Sequence, residues 1–112
     1  MSTAPITLHS LSPAALNGLI QLTSVRVLDV RGMGARKQSA ADIPSASWHD
    51  PALWLDWKDS IPNDKPVLVY CAKGHEISQG LCAALQAMGA SVSFLDGGFA
   101  AWQAAGLNTR SH

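Results

Sequence analysis

Three short runs of mainly apolar, often β-branched residues alternate along the chain with segments whose apolar residues recur every three or four positions. The runs cover residues 25–30, 67–70 and 92–95. Because apolar side chains dominate each run, we expect strands that are buried on both faces, as in parallel sheets. The spacing between the runs is that of amphipathic helices. The chain therefore alternates between predicted strands and predicted helices.

Four predicted helices have recognisable starts or ends. Ser12 before Pro13, and Asp50 before Pro51, each combine a capping side chain with proline at the first helical position. The third helix begins near Ser78. The apolar positions of the four helices are Leu16, Leu19 and Ile20; Leu53, Trp54, Trp57 and Ile61; Leu81, Cys82, Leu85 and Met88, ended by Gly89; and Phe99 and Trp102, ended by Gly106. The segment 31–42 is small and polar, and we interpret it as a loop.

Strands that alternate with helices pair in parallel through right-handed crossovers. We therefore predict one α/β domain over residues 1–112, with helices on both sides of a central, mainly parallel sheet. In such sheets ligands bind beyond the carboxyl ends of the strands. The loops beginning at Arg31, Cys71 and Asp96 should share that edge. Functional residues are expected there.

Composition excludes several classes of partner. The 112 residues include 8 basic and 8 acidic side chains, a formal net charge of zero, so no nucleic-acid or anionic-membrane partner is expected. The first residues lack the features of a signal peptide, and no apolar stretch is long enough to span a bilayer. We expect a soluble cytoplasmic protein, of undetermined oligomeric state. Two cysteines are too few for a disulfide scaffold.

Cys71 stands directly after the strand 67–70 and a few residues before a helix. Backbone N–H groups and a helix N-terminus converge at such a junction and favour anions, including a thiolate. Lys73 and His75 add positive charge there, whereas Glu76 opposes it. Cys71 is therefore the candidate nucleophile. Cys82 lies in the apolar stripe of the following helix, and we expect it to be a core residue.

Four motifs in order resemble the rhodanese-like domains, and together they cover most of the chain. They are Leu-Asp-Val-Arg ending at Arg31, Ile-Pro-Ser-Ala at 43–46 where the family usually has Ile-Pro-Gly-Ala, Val-Tyr-Cys ending at Cys71 with Gly74 behind it, and Gly97-Gly98 followed by Trp102 and Ala-Gly-Leu at 105–107. The resemblance implies a three-layer α/β/α rhodanese-like domain.

The resemblance also implies a sulfurtransferase. The Cys71 thiolate would attack the sulfane sulfur of a donor such as thiosulfate, release sulfite and hold the sulfur as a persulfide. A thiophilic acceptor, cyanide or a cellular thiol, would then take it in a ping-pong cycle. The partners would be these small molecules, and no metal or organic cofactor is required. The persulfide would be bound by N–H groups of the loop Ala72, Lys73, Gly74, His75, Glu76 and Ile77. Lys73 resembles the basic residue of thiosulfate-using members and favours that donor.

The loop departs from the usual family pattern, Cys-x-x-Gly-x-Arg-Ser. Gly89 lies 18 positions after Cys71, one more than expected, and a longer loop is typical of rhodanese-related phosphatases and arsenate reductases. The pattern that those enzymes resemble is Cys-x5-Arg, in which the arginine side chain binds the oxyanion. Ile77 occupies that sixth position and has no charge or donor, and Glu76 would repel phosphate. We therefore favour sulfur transfer over this alternative. A non-catalytic sulfur-carrier or binding module is the third possibility, although many such domains lack the cysteine.

The remaining charged residues near this edge each have two interpretations. Asp29 and Arg31 resemble a charge pair that braces the active loop, and Arg31 is also a candidate for substrate binding. Arg36, with Lys37, either attracts an anionic donor or is a solvated surface charge. His75 either assists proton transfer or donates a hydrogen bond within the loop, and we favour the loop role. No residue spacing indicates a metal site.

Overall fold

Five strands form a single sheet in which every neighbouring pair is parallel. The structure is a computed structural model that describes residues 9–62, 64–74 and 76–111. The strands within these residues are β1 (Ser10–Leu11), β2 (Arg26–Asp29), β3 (Ala41–Asp42), β4 (Ser47–Trp48), β5 (Val67–Tyr70), β6 (Val92–Leu95) and β7 (Arg110–Ser111). The parallel sheet has the order β1-β6-β5-β2-β4, and β3 pairs antiparallel with β7. The predicted parallel sheet is confirmed, and the three predicted strands are its centre.

The central strands end at one edge because of their register. Asp29 lies opposite Tyr70 on β5, and Val69 lies opposite Phe94 on β6. The residues that follow each strand therefore meet at the same edge of the sheet, which places Cys71 between the loops beginning at Arg31 and Asp96. This edge is called the carboxyl edge below.

The predicted helix starts are largely correct, whereas one predicted loop is wrong. The helices are α1 (Pro13–Gln21), α2 (Met33–Lys37), α3 (Trp54–Trp57), α4 (Glu76–Ala87) and α5 (Gly98–Ala104), with 3₁₀ turns on both sides of α3. The side chains of Ser12 and Asp50 accept hydrogen bonds from backbone N–H groups, as predicted for caps. Segment 31–42 contains α2 and β3 rather than a continuous loop. Because α2 buries no side chain, it carries no apolar period.

Two apolar clusters lie on opposite faces of the sheet, because successive strand residues point to opposite sides. Leu68 and Tyr70 pack with α1 and α5, which contributes the buried Trp102. Val67 and Val69 pack with α4, while α3 is partly buried on the same face. The three-layer arrangement is confirmed. Among the described residues, no helix is long and apolar enough to cross a membrane.

Two predicted apolar positions are exposed. Leu53 lies in the 3₁₀ turn that precedes α3, where the α-helical period does not apply. Met88 lies just beyond the last residue of α4. Both residues keep the helical spacing in the sequence but not the helical conformation that would bury them.

Candidate active site

Cys71 follows the last residue of β5 and is 5% exposed. Its carbonyl oxygen accepts a hydrogen bond from the N–H of Phe99 at 2.9 Å, and the carbonyl of Ala72 accepts one from Ala100 at 2.9 Å. These bonds attach the loop to the first turn of α5. Among the described residues, the N–H groups of Ala72, Lys73 and Gly74 donate to no acceptor. Unpaired backbone N–H groups of this kind bind a negatively charged sulfur or its substituent when they face it.

Two glycines allow the Cys71 loop to pack directly against the start of α5. Gly74 has φ +73°, and a Cβ at this residue would lie 2.7 Å from the backbone N of Gly98. Gly98 has φ +62°, and its Cβ would lie 2.6 Å from the carbonyl oxygen of Cys71. Both residues thus need a left-handed conformation and a bare backbone. This backbone contact determines how closely the Cys71 loop approaches the first turn of α5.

Ser78 contacts the Cys71 sulfur directly. The Cys71 thiol donates a hydrogen bond to Ser78 Oγ at 3.1 Å, and Ser78 is fully buried in the first turns of α4. When the sulfur is ionised, the hydroxyl can donate instead, because it is both donor and acceptor. Ser78 is not among the site residues predicted from the sequence. The available signal was the serine that closes the family pattern, displaced here by one position.

Arg31 is buried in a cluster of charges beside the loop. Its guanidinium lies 2.8 Å from Asp29 and 2.8 Å from Asp42, and 4.5 Å from the ring centroid of Phe99. Arg36 adds weaker pairs with the same two carboxylates at 3.7 and 3.6 Å. Two carboxylates thus balance two guanidinium groups.

Burial lowers the pKa of Arg31, but the hydrogen bond and charge of Asp29 outweigh it and raise the pKa overall. Arg31 is 1% exposed, which supports the bracing role for Asp29 and Arg31 and argues against contact with substrate. Arg36 is partly exposed and its guanidinium lies 5.1 Å from the ring centroid of Trp48. A role for Arg36 in substrate binding stays a prediction.

The comparison with known families agrees with this geometry. The family model of the rhodanese-like domain matches residues 12–105. The chain belongs to the rhodanese-like domain family. Among curated proteins, no significant match was found.

Solved structures of low sequence identity share the fold. A rhodanese-related protein from Thermoplasma volcanium is 22% identical with TM-score 0.81, covering 91% of this chain and 97% of its own. A protein of unknown function from Rhodopseudomonas palustris, described as a possible tyrosine phosphatase, is 24% identical with TM-score 0.80, covering 92% and 85%. A thiosulfate sulfurtransferase from Pseudomonas aeruginosa is 26% identical with TM-score 0.78; the match covers 98% of this chain but only 21% of that protein.

The other predicted loop residues of this rhodanese-like domain differ in exposure. Lys73 and Glu76 are exposed, and Ile77 is 42% exposed. Gly74 is buried, and its carbonyl accepts a hydrogen bond from the side-chain amide of Gln79 at 2.8 Å. His75 lies outside the described residues. The loop is thus fixed by α4 on one side and α5 on the other.

Other possible functional features of the rhodanese-like domain differ from the Cys71 site. Cys82 is fully buried, and burial raises its pKa to about 11, so the predicted core role is confirmed. No cluster of metal-ligating side chains occurs among the described residues. A cavity of about 520 Å³ lies at the opposite edge of the sheet, between the end of α4 and residues 58–67. It contains neither cysteine.

Proposed function

We propose that this rhodanese-like domain moves a sulfane sulfur from a donor such as thiosulfate to a thiophilic acceptor through a persulfide on Cys71. The observation that carries the proposal is the setting of Cys71. Its thiol is hydrogen-bonded to the buried hydroxyl of Ser78, and the backbone N–H groups that follow it in the loop have no acceptor among the described residues. The structural likeness to a thiosulfate sulfurtransferase supports it.

In the first step, the Cys71 thiolate attacks the outer sulfur of the donor. A new S–S bond forms at Cys71 as the S–S bond of thiosulfate breaks, and the bonding electron pair leaves with sulfite. The persulfide keeps one negative charge on its terminal sulfur, which the N–H groups of Lys73 and Gly74 would stabilise. The hydroxyl of Ser78 would donate to the inner sulfur.

In the second step, a thiolate or cyanide attacks the terminal sulfur, and Cys71 leaves as a thiolate. Donor and acceptor are small molecules and use the same sulfur in turn, so neither a metal nor an organic cofactor is needed. Both cysteines are free thiols. A thiol acceptor fits a reducing compartment, which the cytoplasmic location that we propose would provide.

Phosphatase or arsenate reductase chemistry is the second candidate. It has some support from the extended loop and from the likeness to a possible tyrosine phosphatase. Against it, Ile77 occupies the position of the oxyanion-binding arginine, and the guanidinium groups of Arg31 and Arg36 face Asp29 and Asp42. A non-catalytic sulfur-carrier module is the third candidate. In it, Cys71 would hold the sulfur without passing it to an acceptor in a catalytic cycle.

Intact-mass measurement after incubation with a sulfane donor tests the proposal. We expect a gain of one sulfur atom that cyanide reverses, that Cys71→Ala abolishes and that Cys82→Ala retains. No gain with thiosulfate, an organic thiosulfonate or a persulfide would overturn the proposal. Hydrolysis of an aryl phosphate, or arsenate reduction, that depends on Cys71 would establish the second candidate. A stable persulfide that no acceptor discharges would identify a carrier.

A further inference from the structure

The charges around Cys71 do not favour a doubly charged donor. Lys37, Lys73, Glu76 and Asp96 are exposed at the carboxyl edge, and none of their side chains forms an ion pair within the described part of the chain. Their charges sum to zero, so they supply no net positive charge for an anionic donor. The two arginines nearby are balanced by two aspartates and add no net positive charge.

Glu76 is the acidic residue nearest to Cys71 along the chain. It is the first residue of α4, two positions before the serine whose Oγ lies 3.1 Å from the Cys71 sulfur. A carboxylate there also offsets the positive end of the helix dipole, which would otherwise attract an anion. The start of α4 thus carries a carboxylate at the carboxyl edge, the edge from which a donor approaches Cys71.

Apolar surface lies beside this charge. Ile77 follows Glu76 and is 42% exposed, and Met33, which is 50% exposed, begins α2 just after the neighbouring strand β2. Because β2 and β5 are adjacent and parallel, both side chains belong to the carboxyl edge. An organic group attached to the donor could bury part of this surface, whereas the sulfonate of thiosulfate could not.

We propose that Glu76 is a specificity-determining residue that disfavours dianionic donors and selects organic sulfane donors with a single charge. This inference rests on the proposed sulfur transfer. With an organic thiosulfonate, the Cys71 thiolate forms an S–S bond to the outer sulfur, the S–S bond of the donor breaks, and the electron pair leaves with the sulfinate. Charge and atoms balance as they do with thiosulfate, but the donor carries one negative charge instead of two.

The size of the effect follows from Coulomb's law. If the Glu76 carboxylate and the donor are taken to be roughly 10 Å apart, with a dielectric constant between those of protein and water, removing the carboxylate charge should raise kcat/KM for a monoanion about threefold. For a dianion the change in free energy is twice as large, so kcat/KM should rise about tenfold. Higher salt should reduce both factors, since the separation is close to the screening length.

The kinetic test compares two donors on three proteins. The kcat/KM of thiosulfate and of methanethiosulfonate is measured at low ionic strength for wild type, Glu76→Gln and the control Asp59→Asn. Asp59 is also an exposed carboxylate, but it lines the cavity at the opposite edge of the sheet. We expect Glu76→Gln to raise kcat/KM about tenfold for thiosulfate and about threefold for methanethiosulfonate, and Asp59→Asn to change neither. Equal changes for the two donors would overturn the inference.

Alkylation of Cys71 tests the same charge without sulfur transfer. Iodoacetate is an anion and iodoacetamide is neutral, so the ratio of their rates at Cys71 reports the local field. Glu76→Gln should raise this ratio about threefold, with loss of the effect in high salt. An unchanged ratio refutes the inference even if sulfur transfer is confirmed. If the ratio rises but no donor transfers sulfur to the protein, the effect of the Glu76 charge stands. The proposed sulfur transfer and the donor selectivity are then both overturned.

Discussion

The contact between Gly98 and the Cys71 loop gives the sharpest prediction about stability. In Gly98→Ala the new Cβ would overlap three backbone atoms: the N of Gly74, the carbonyl oxygen of Cys71 at 2.6 Å and the carbonyl carbon of Lys73 at 2.8 Å. None of these atoms can move by a side-chain rotation. Gly106→Ala is the matched control, because Gly106 has φ +70° and a Cβ added there would meet no atom within 4 Å.

The two substitutions separate backbone strain from steric overlap. Left-handed backbone costs alanine about 1–2 kcal/mol, and this cost applies to both variants. Overpacking adds about 1–3 kcal/mol, and this cost applies to Gly98→Ala alone. We expect a loss of about 1–2 kcal/mol for the control and about 2–5 kcal/mol for Gly98→Ala. A typical domain is stable by only about 5–15 kcal/mol, so the second loss is a large part of the total.

Urea unfolding followed by tryptophan fluorescence measures both values, since the chain has 4 tryptophans, including the buried Trp102. The folded fraction of Gly98→Ala should also load sulfur more slowly, because the clash displaces Cys71 and Lys73. Equal destabilisation of the two variants would refute the steric explanation, since it would show that the Cys71 loop yields to the new methyl group without cost.

Three further predictions concern single residues. Ser78→Ala should slow sulfur loading by about tenfold, the scale of a hydrogen bond to a charged group. The control Ser93→Ala changes a serine inside β6 that has no hydrogen bond to Cys71, and it should not slow loading; equal rates for the two variants would exclude a role for the Ser78 hydroxyl. Thr23→Gly should raise the free energy of unfolding by about 0.5–1 kcal/mol, because Thr23 closes α1 at φ +52°; a lower urea midpoint would contradict this. Burial raises the pKa of Cys82 from 9.0 in the unfolded chain to about 11 in the folded one. The contribution of the buried thiol to the free energy of unfolding is therefore complete below pH 9 and is lost as the pH rises to 11. The stability difference between wild type and Cys82→Ala should therefore shrink over that range, and a constant difference would disprove the shift.

The charge cluster at the carboxyl edge shows why a resemblance does not assign a residue's role by itself. Arg31 and Arg36 are candidates for anion binding when only the sequence is considered. In the structure, Asp29 and Asp42 lie against both guanidinium groups. Asp42 is 11 positions from Arg31 in the chain, and no local pattern in the sequence pairs them. The cluster joins β2, α2 and β3 and fixes the loop next to Cys71.

Local signals in the sequence predict the centre of the fold. The apolar runs of β5 and β6, the capping residues Ser12 and Asp50, and the position of Cys71 after a buried strand are local signals, since each depends on a few consecutive residues. The prediction that Cys82 is a core residue depended on helical spacing alone, and it is confirmed by the burial of Cys82. Such features need no knowledge of distant parts of the chain.

The remaining features depend on contacts between segments that are distant in the chain. The strands β1 and β4 have two residues each, too few for a recognisable period, and they form because a longer strand offers its edge. Ser78 meets the Cys71 sulfur because α4 packs against β5, the strand that Cys71 follows. The approach of Gly74 to Gly98 joins two loops that are separate in the chain. These contacts depend on packing between distant segments, which no local pattern encodes.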